Sequence, residues 1–373
     1  MNKLLIFHPA LAPYRVDQFN ALSKLFDLEV VFVFDNVWNH KFDQSLLTSQ
    51  LEFKFSYLLS GIRFKGRVLR FGMLKMINEF NPDFILGYEF SFTTQYLILL
   101  KKLGFIHQKI GSTIDDSLEI CNKVQSNVRY IARKQTVKQL DFLIVLSTEV
   151  AKYYQTAFKL NPHQIIVSPI LQNPERLRKN YQELELQANQ YANDFGLKNK
   201  RVLLFVGRFI PEKGLRVFLK ITQSVFCNLD DFVLVLVGDG DEKKGIESFI
   251  VENRLETKVI LPGRFEGSEL YAWYLIASGF VLPSKYEPFG AVVNEALIFG
   301  LRVLCSQFAG SSGLIGNNGL LFNPDDEADT MTKFKIFIDS LVQLQDIKLL
   351  EKSVLMTDNA NEFINEWRKL RYD

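Results

Sequence analysis

Short apolar runs alternate with longer amphipathic stretches along this chain, and that alternation limits what it can fold into. In the first half the runs are Leu4–Phe7, Leu28–Phe34, Phe84–Leu86, Gln108–Gly111, Phe142–Leu146 and Ile165–Val167, separated by helix-prone segments such as Val16–Leu25. Asn81-Pro82-Asp83 breaks the helix ahead of Phe84, because proline lacks an N–H and fixes its own φ. Strands separated by helices predict a parallel sheet covered on both faces. The pattern restarts with Arg201–Val206, the helix Leu215–Phe226, and the runs Phe232–Val237, Val259–Leu261, Gly279–Leu282 and Arg302–Cys305. Between the two sets lies Asn173–Lys200, polar and helix-prone, with no core run. We therefore expect two α/β domains of similar size with a cleft between them, residues 1–172 and 173–356. Ala360, Phe363, Ile364, Trp367 and Leu370 fall at helical spacing, so 357–373 reads as one amphipathic helix whose tryptophan packs.

A length of 373 residues suits two domains. With 47% hydrophobic and 23% charged residues the chain can bury a large core, which excludes disorder. Phe is abundant, 33 against 13 Tyr and 3 Trp; we read this as core filling, not as a platform for stacking sugars or bases. Lys plus Arg is 44 and Asp plus Glu 42, a balance that argues against a nucleic-acid binder. Cys121, Cys227 and Cys305 form no CxxC pair, and a reducing cytoplasm is the simplest reading. Four histidines without an HExxH pattern give no reason to expect a metal site. Leu4–Phe7 is interrupted by His8, Pro9, Pro13 and Arg15, so it reads as a buried strand and not as a signal peptide. The longest apolar stretch, Phe84–Leu100, contains Glu89, and no membrane span is expected.

Four motifs carry candidate chemistry, each at the carboxyl end of an expected strand, where open α/β sheets bind ligands. In Gly207-Arg208-Phe209-Ile210-Pro211-Glu212-Lys213-Gly214 the glycines permit tight turns, and Arg208 and Lys213 suit a diphosphate, one as a fork and one as a point charge. In Glu287-Pro288-Phe289-Gly290-Ala291, a helix starting after Gly290 offers free N–H groups and a positive dipole end. Glu287 can accept from sugar hydroxyls, and Glu295, about two turns into that helix, from a vicinal diol such as a ribose. Gly238-Asp239-Gly240-Asp241 contains Asp-x-Asp, which we read as turn chemistry instead of a metal ligand; Gly238 permits close approach of a ligand or a neighbouring loop. Asp115-Asp116 reads as a loop or helix cap, with acceptor contact as the alternative. Gly263-Arg264 could bring backbone groups to a planar base.

Taken in this order, the motifs resemble glycosyltransferase family 4 of the GT-B fold, from Arg201 to about Asp326, with Gly310–Pro324 completing the pattern. The first half is similar in layout and in Pro13-Tyr14-Arg15, which resembles acceptor-side loops of polysaccharide-assembling members. The resemblance implies two Rossmann-like domains that close over the donor, with a C-terminal helix returning to the first domain. It implies a retaining, metal-independent transfer of sugar from a UDP- or GDP-linked donor to a glycan or lipid-diphosphate acceptor, with no cofactor. Arg208 and Lys213 would bind the diphosphate and stabilise it as leaving group. Glu287 would contact the donor sugar, with backbone N–H groups from Phe289, Gly290 and Ala291. Glu295 would hold the ribose, and Arg264 would flank the base. Gly207 and Gly238 belong to the same donor-binding set. Where many members carry a histidine, this chain has Tyr88 followed by Glu89, both candidate catalytic residues. Pro9–Pro13 stands in place of a Gly-Gly pair, and Ser311-Ser312-Gly313 in place of a Glu-rich stretch. The alternatives are a catalytically silent partner subunit that binds nucleotide sugar, or a nucleotide-sugar epimerase.

The net charge of +2 hides a division. Residues 1–172 hold 20 Lys/Arg against 14 Asp/Glu, and residues 173–373 hold 24 against 28. Bases concentrate in Arg63–Lys75 and Lys123–Lys138; in the latter Arg129, Arg133 and Lys134 alternate with Val128, Tyr130, Ile131 and Val137. This reads either as a solvated helix or as contact with an anionic membrane or lipid-diphosphate acceptor at the inner face of the membrane.

Overall fold

The computed structural model describes residues 1–37, 41–64, 67–123, 126–343 and 355–371. They form two units, Met1–Gln172 with Asp358–Asp373, and Asn173–Thr357.

In the first unit β1 (Lys3–His8), β2 (Asp27–Phe32) and β3 (Lys54–Tyr57) are followed by a hairpin, β4 (Gly61–Phe64) and β5 (Arg67–Arg70). Then come β6 (Phe84–Tyr88), β7 (Lys109–Ile114), β8 (Phe142–Val145) and β9 (Ile165–Val167). The sheet order is β3-β2-β1-β6-β7-β8-β9, all parallel. Its central strands are apolar on both faces, as burial under helices requires: Leu5, Ile85 and Ile110 are buried on one face, and Leu4, Ile6, Leu86 and Ile144 on the other. The C-terminal helix Leu355–Arg368 belongs to this unit. Phe363, Trp367 and Leu370 are buried. Trp367 Nε1 donates to Ser168 Oγ at 3.0 Å, and the Val167 amide donates to the Glu366 carboxylate at 3.2 Å. The Trp367 ring meets Phe26 edge-on.

In the second unit the strands are β10 (Arg201–Val206), β11 (Phe232–Val237), β12 (Val259–Gly263), β13 (Gly279–Leu282), β14 (Arg302–Ser306) and β15 (Gly319–Phe322). Their order is β12-β11-β10-β13-β14-β15, again parallel. Strand order reverses between β10 and β13, and in the first unit between β1 and β6. In doubly wound sheets the ligand crevice opens at that reversal, outside the carboxyl ends of the strands.

Asn173–Lys200 is no bare connector. Its helix Tyr181–Asp194 buries Leu184, Ala188, Tyr191 and Ala192, and Tyr191 stacks on Trp273 of the helix Gly267–Leu275 at 4.5 Å. These apolar residues are spread singly among polar ones, so they leave no run. The strands that periodicity passes over, β3, β15 and the hairpin, are sheet edges or separate ribbons. Lys54–Tyr57 buries none of its residues fully, and a strand exposed along one edge does not need an apolar run. No helix among the described residues is long and apolar enough to cross a membrane.

Trp367 is 1% exposed, and its loss would leave a large void. Trp367→Ala should cost the first unit about 3–5 kcal/mol, read as a lower urea midpoint for that unit alone; an unchanged midpoint would mean the helix does not hold there.

Candidate functional site

At the reversal in the second unit, two loops are sewn together by backbone. The carbonyl of Glu212, in the loop after β10, accepts from the amides of Lys285 (2.8 Å) and Tyr286 (3.2 Å), in the loop after β13. The approach depends on Gly214. It has φ +68°, and a Cβ there would lie 2.5 Å from the Pro283 carbonyl oxygen, so both conformation and space call for glycine. The seam brings Lys213 to Glu287, and the two form an ion pair. The Ser284 hydroxyl donates to the same carboxylate oxygen at 3.2 Å. Both charged side chains are largely enclosed, 15% and 9% exposed. Arg208 is exposed instead, and among the described residues no ion pair holds its guanidinium.

Other expected donor residues lie on loops and helices of the same unit. Gly290 is the N-cap of the helix Ala291–Ile298, with no side chain capping it; the Val293 amide turns back to the Gly290 carbonyl at 2.9 Å, and the helix itself supplies no partner for the amides of Ala291 and Val292. The Ser311 hydroxyl, fully buried, has no hydrogen-bond partner among the described residues and lies 3.1 Å from where a Gly290 Cβ would be. Phe289 is buried, and its carbonyl accepts from the Ser311 amide at 2.8 Å. Glu295, on the same helix, accepts from the Tyr274 hydroxyl at 2.7 Å; burial and the Glu295 charge push the Tyr274 phenol well up. Arg264 is ion-paired with Glu266. Gly238 serves a neighbouring loop: a Cβ there would lie 1.9 Å from the Gly207 carbonyl oxygen. Asp239 accepts from the amide of Gly240 at 2.8 Å, the expected turn chemistry.

The reversal in the first unit gathers a different set. Glu89 follows β6 with φ +48°, a left-handed conformation uncommon for a non-glycine residue. Its carboxylate accepts from the Asp115 amide at 2.8 Å. Asp115 is ion-paired with the buried Arg15, and Asp116 with Arg133 at 2.7 Å. Tyr154 donates to Asp116 at 3.4 Å. Asp115-Asp116 lie in the loop, as expected, but do not cap: Ser117 caps the helix Leu118–Asn122, and the aspartates anchor two arginines. Arg133, read from sequence as part of a solvated basic face, turns inward for the same reason. Burial first, then the charges of Asp115 and Asp116, raise Glu89 to about 8. Burial and then Arg15 lower His8 to about 3, which keeps its imidazole neutral. Burial also raises the Tyr88 phenol.

Residues 187–346 match the family model described as glycosyl transferases group 1. The matched segment falls within the second unit. A sulfoquinovosyl transferase of Arabidopsis thaliana is 31% identical over 148 residues, 38% of this chain and 28% of that protein. An uncharacterized glycosyltransferase of Methanocaldococcus jannaschii is 28% identical over 247 residues, 63% of this chain and 64% of that protein. The matches thus span less than two thirds of either relative's length. The solved structure of Anabaena HepE in complex with UDP aligns over 100% of this chain and 99% of that chain, with TM-score 0.72 and 16% identity. That likeness shows the fold: the chain has the GT-B fold of two Rossmann-like units.

Within the second unit, sequence reasoning reached Arg208, Lys213, Glu287, Glu295 and the Gly290 helix start. It missed Tyr274 and Ser284 as partners of the two glutamates, and Ser311 as a buried hydroxyl beside the helix start. None carries a local signature, since each matters only through a residue distant in sequence or one turn away in a loop.

Because Glu89 takes up its proton more readily when folded, stability should fall as pH rises from the ordinary carboxylate range towards 8, where the folded state loses the proton. Glu89→Gln should abolish that part of the slope and unfold at higher urea than wild type at pH 9. Parallel wild-type and variant profiles from pH 5 to 9 would contradict the assignment.

Proposed function

We propose that this chain is a retaining glycosyltransferase that moves a sugar from a nucleotide-diphosphate sugar to a glycan or lipid-linked acceptor in cell-surface polysaccharide synthesis. The reading rests on one observation above all. At the strand-order reversal of the second unit, a cation and a carboxylate, Lys213 and Glu287, are locked together with Arg208 exposed in the same loop. A sugar diphosphate presents the matching pair of features, anionic oxygens and a ring of hydroxyl donors. The uncapped start of the helix Ala291–Ile298 adds N–H groups for the same anion. In this reading Glu295, oriented by Tyr274, takes the ribose diol, and Arg264 lies by the base.

The reaction breaks the bond between the anomeric carbon and the phosphate oxygen. It forms a bond from that carbon to an acceptor oxygen on the same face, and the acceptor proton passes to the departing phosphate. Negative charge grows on the leaving diphosphate, and Arg208, Lys213 and the helix start stabilise it electrostatically. These groups supply the positive charge, so the reading calls on neither metal nor cofactor. Tyr88 and Glu89 are assigned to the acceptor. A Glu89 carboxyl that keeps its proton at neutral pH can donate a hydrogen bond to a hydroxyl oxygen.

A screen of UDP, GDP and ADP by titration calorimetry tests donor binding. Arg208→Ala should lower turnover about 10²–10³-fold with folding intact, and Lys213→Ala by as much with some loss of stability, because it strands the enclosed Glu287; wild-type turnover in either would sink the role. A product assay without acceptor separates the rivals: released epimer means an epimerase, and binding without turnover on any acceptor means a silent partner.

We also place the chain in the cytoplasm, on an anionic inner membrane surface. The helix Asn127–Val137 exposes Val128 (77%) and Ile131 (56%) beside Arg129, on the half whose charge is positive. Val128→Asp with Ile131→Asp should abolish co-sedimentation with phosphatidylglycerol vesicles. Equal pelleting of wild type and variant would refute this surface.

A further inference from the structure

The Lys213–Glu287 pair poses a problem for the donor reading, and the solution has a consequence for the catalytic cycle. A Lys213 ammonium whose charge is spent on Glu287 offers a diphosphate less than a free one would. We propose that the pair is a latch that makes tight nucleotide binding conditional on the sugar, so that Glu287 governs release of the nucleoside diphosphate product. This rests on the donor-site reading above.

Three features carry it. First, Glu287 is held in place. Its carbonyl accepts from the Gly310 amide at 3.3 Å, its backbone bridges to Ala309, and the adjoining Lys285 and Tyr286 amides are tied to Glu212. The backbone that carries the carboxylate is therefore fixed, and only side-chain rotation is left to it. Second, both described contacts to Glu287, from the Lys213 ammonium and the Ser284 hydroxyl, fall on one carboxylate oxygen. When Lys213 leaves, one neutral hydroxyl remains for a charge that is 9% exposed. An enclosed carboxylate stripped of its cation is strongly disfavoured. Third, Arg208 is exposed and has no ion pair among the described residues, so an incoming diphosphate gains it without displacing a described partner.

A nucleoside diphosphate therefore takes Arg208 freely but wins Lys213 only by stranding Glu287. A sugar nucleotide does not meet this cost, because the sugar hydroxyls donate to Glu287 as the phosphates draw Lys213 away. After transfer the sugar is gone, Glu287 reclaims Lys213, and the diphosphate is left with weakened contacts. The ion pair opens for the substrate and closes against the product.

The experiment is a titration of UDP, GDP and ADP, and of UDP-glucose, GDP-glucose and ADP-glucose, into wild type, Glu287→Gln and Ser284→Ala. In wild type the sugar ester of the preferred base should bind about tenfold tighter than the free diphosphate, the equivalent of about 1.4 kcal/mol. In Glu287→Gln the neutral amide no longer holds Lys213, so the free diphosphate should tighten about tenfold, the gap should close, and product inhibition should grow. In Ser284→Ala, Glu287 leans harder on Lys213, and the free diphosphate should weaken relative to wild type. This small buried residue provides a second readout if Glu287→Gln unfolds early. A mere structural defect would weaken both ligand forms together. A free diphosphate that weakens in Glu287→Gln, or an unchanged gap in both variants, overturns the latch and leaves the donor reading standing. No binding of any of the six ligands to wild type overturns the donor reading and the latch with it.

Discussion

Two hydrogen bonds to a single carbonyl, that of Glu212, hold together everything of chemical interest in the second unit. They join loops that leave β10 and β13, strands adjacent in the sheet but separated in sequence by two intervening strands and their helices. The parallel ladder brings the strand ends side by side; the carbonyl then fixes the height at which the loops meet. Gly214 permits the contact because it has neither a Cβ to collide with Pro283 nor a penalty at positive φ. Remove the seam and Lys213 and Glu287 become two solvated side chains. With it they are a largely enclosed pair beside an uncapped helix start.

The two units share a winding pattern and use it with opposite electrostatics. At the reversal of the second unit, one cation is left unspent and another is exchangeable. At that of the first, both arginines are consumed: Arg15 by Asp115 and Arg133 by Asp116. What remains there is a neutral imidazole and a carboxyl that holds its proton above the ordinary range. The first set suits an uncharged, hydroxyl-rich partner, and the second suits an anion. This division follows from which charges are already neutralised, and the total charge of either unit does not reveal it.

That point also explains how far the sequence could be read. The winding was legible, because strands buried on both faces must be apolar runs: Arg201–Val206 and Phe232–Val237 announce themselves. Lys54–Tyr57 did not, because this edge strand has no fully buried residue and so carries no apolar run. The motif residues Arg208, Lys213, Glu287 and Glu295 were legible because glycine and proline around them mark strand ends and helix starts. Their pairing was not. Nothing in the spacing of 74 residues between Lys213 and Glu287 says that they touch, and Arg133 looked like part of a solvated basic face until Asp116 was found beneath it. Side-chain partnership across a sheet is a tertiary fact, and periodicity carries no record of it.

The enclosed Lys213–Glu287 pair is also poorly explained as a stabilising device. Pairs of this kind seldom improve on apolar residues of similar volume, since desolvation offsets most of the attraction. The neighbouring positions show that the fold has apolar alternatives available: Phe209, Leu215 and Phe289 are buried within a few residues of the pair. A fold seeking stability alone would extend that apolar surface through positions 213 and 287. Keeping two charges there makes sense if each has a second partner that outbids the first only when both arrive on one molecule. A sugar diphosphate, with anionic oxygens next to a ring of hydroxyls, is such a molecule, and a free nucleoside diphosphate is only half of it.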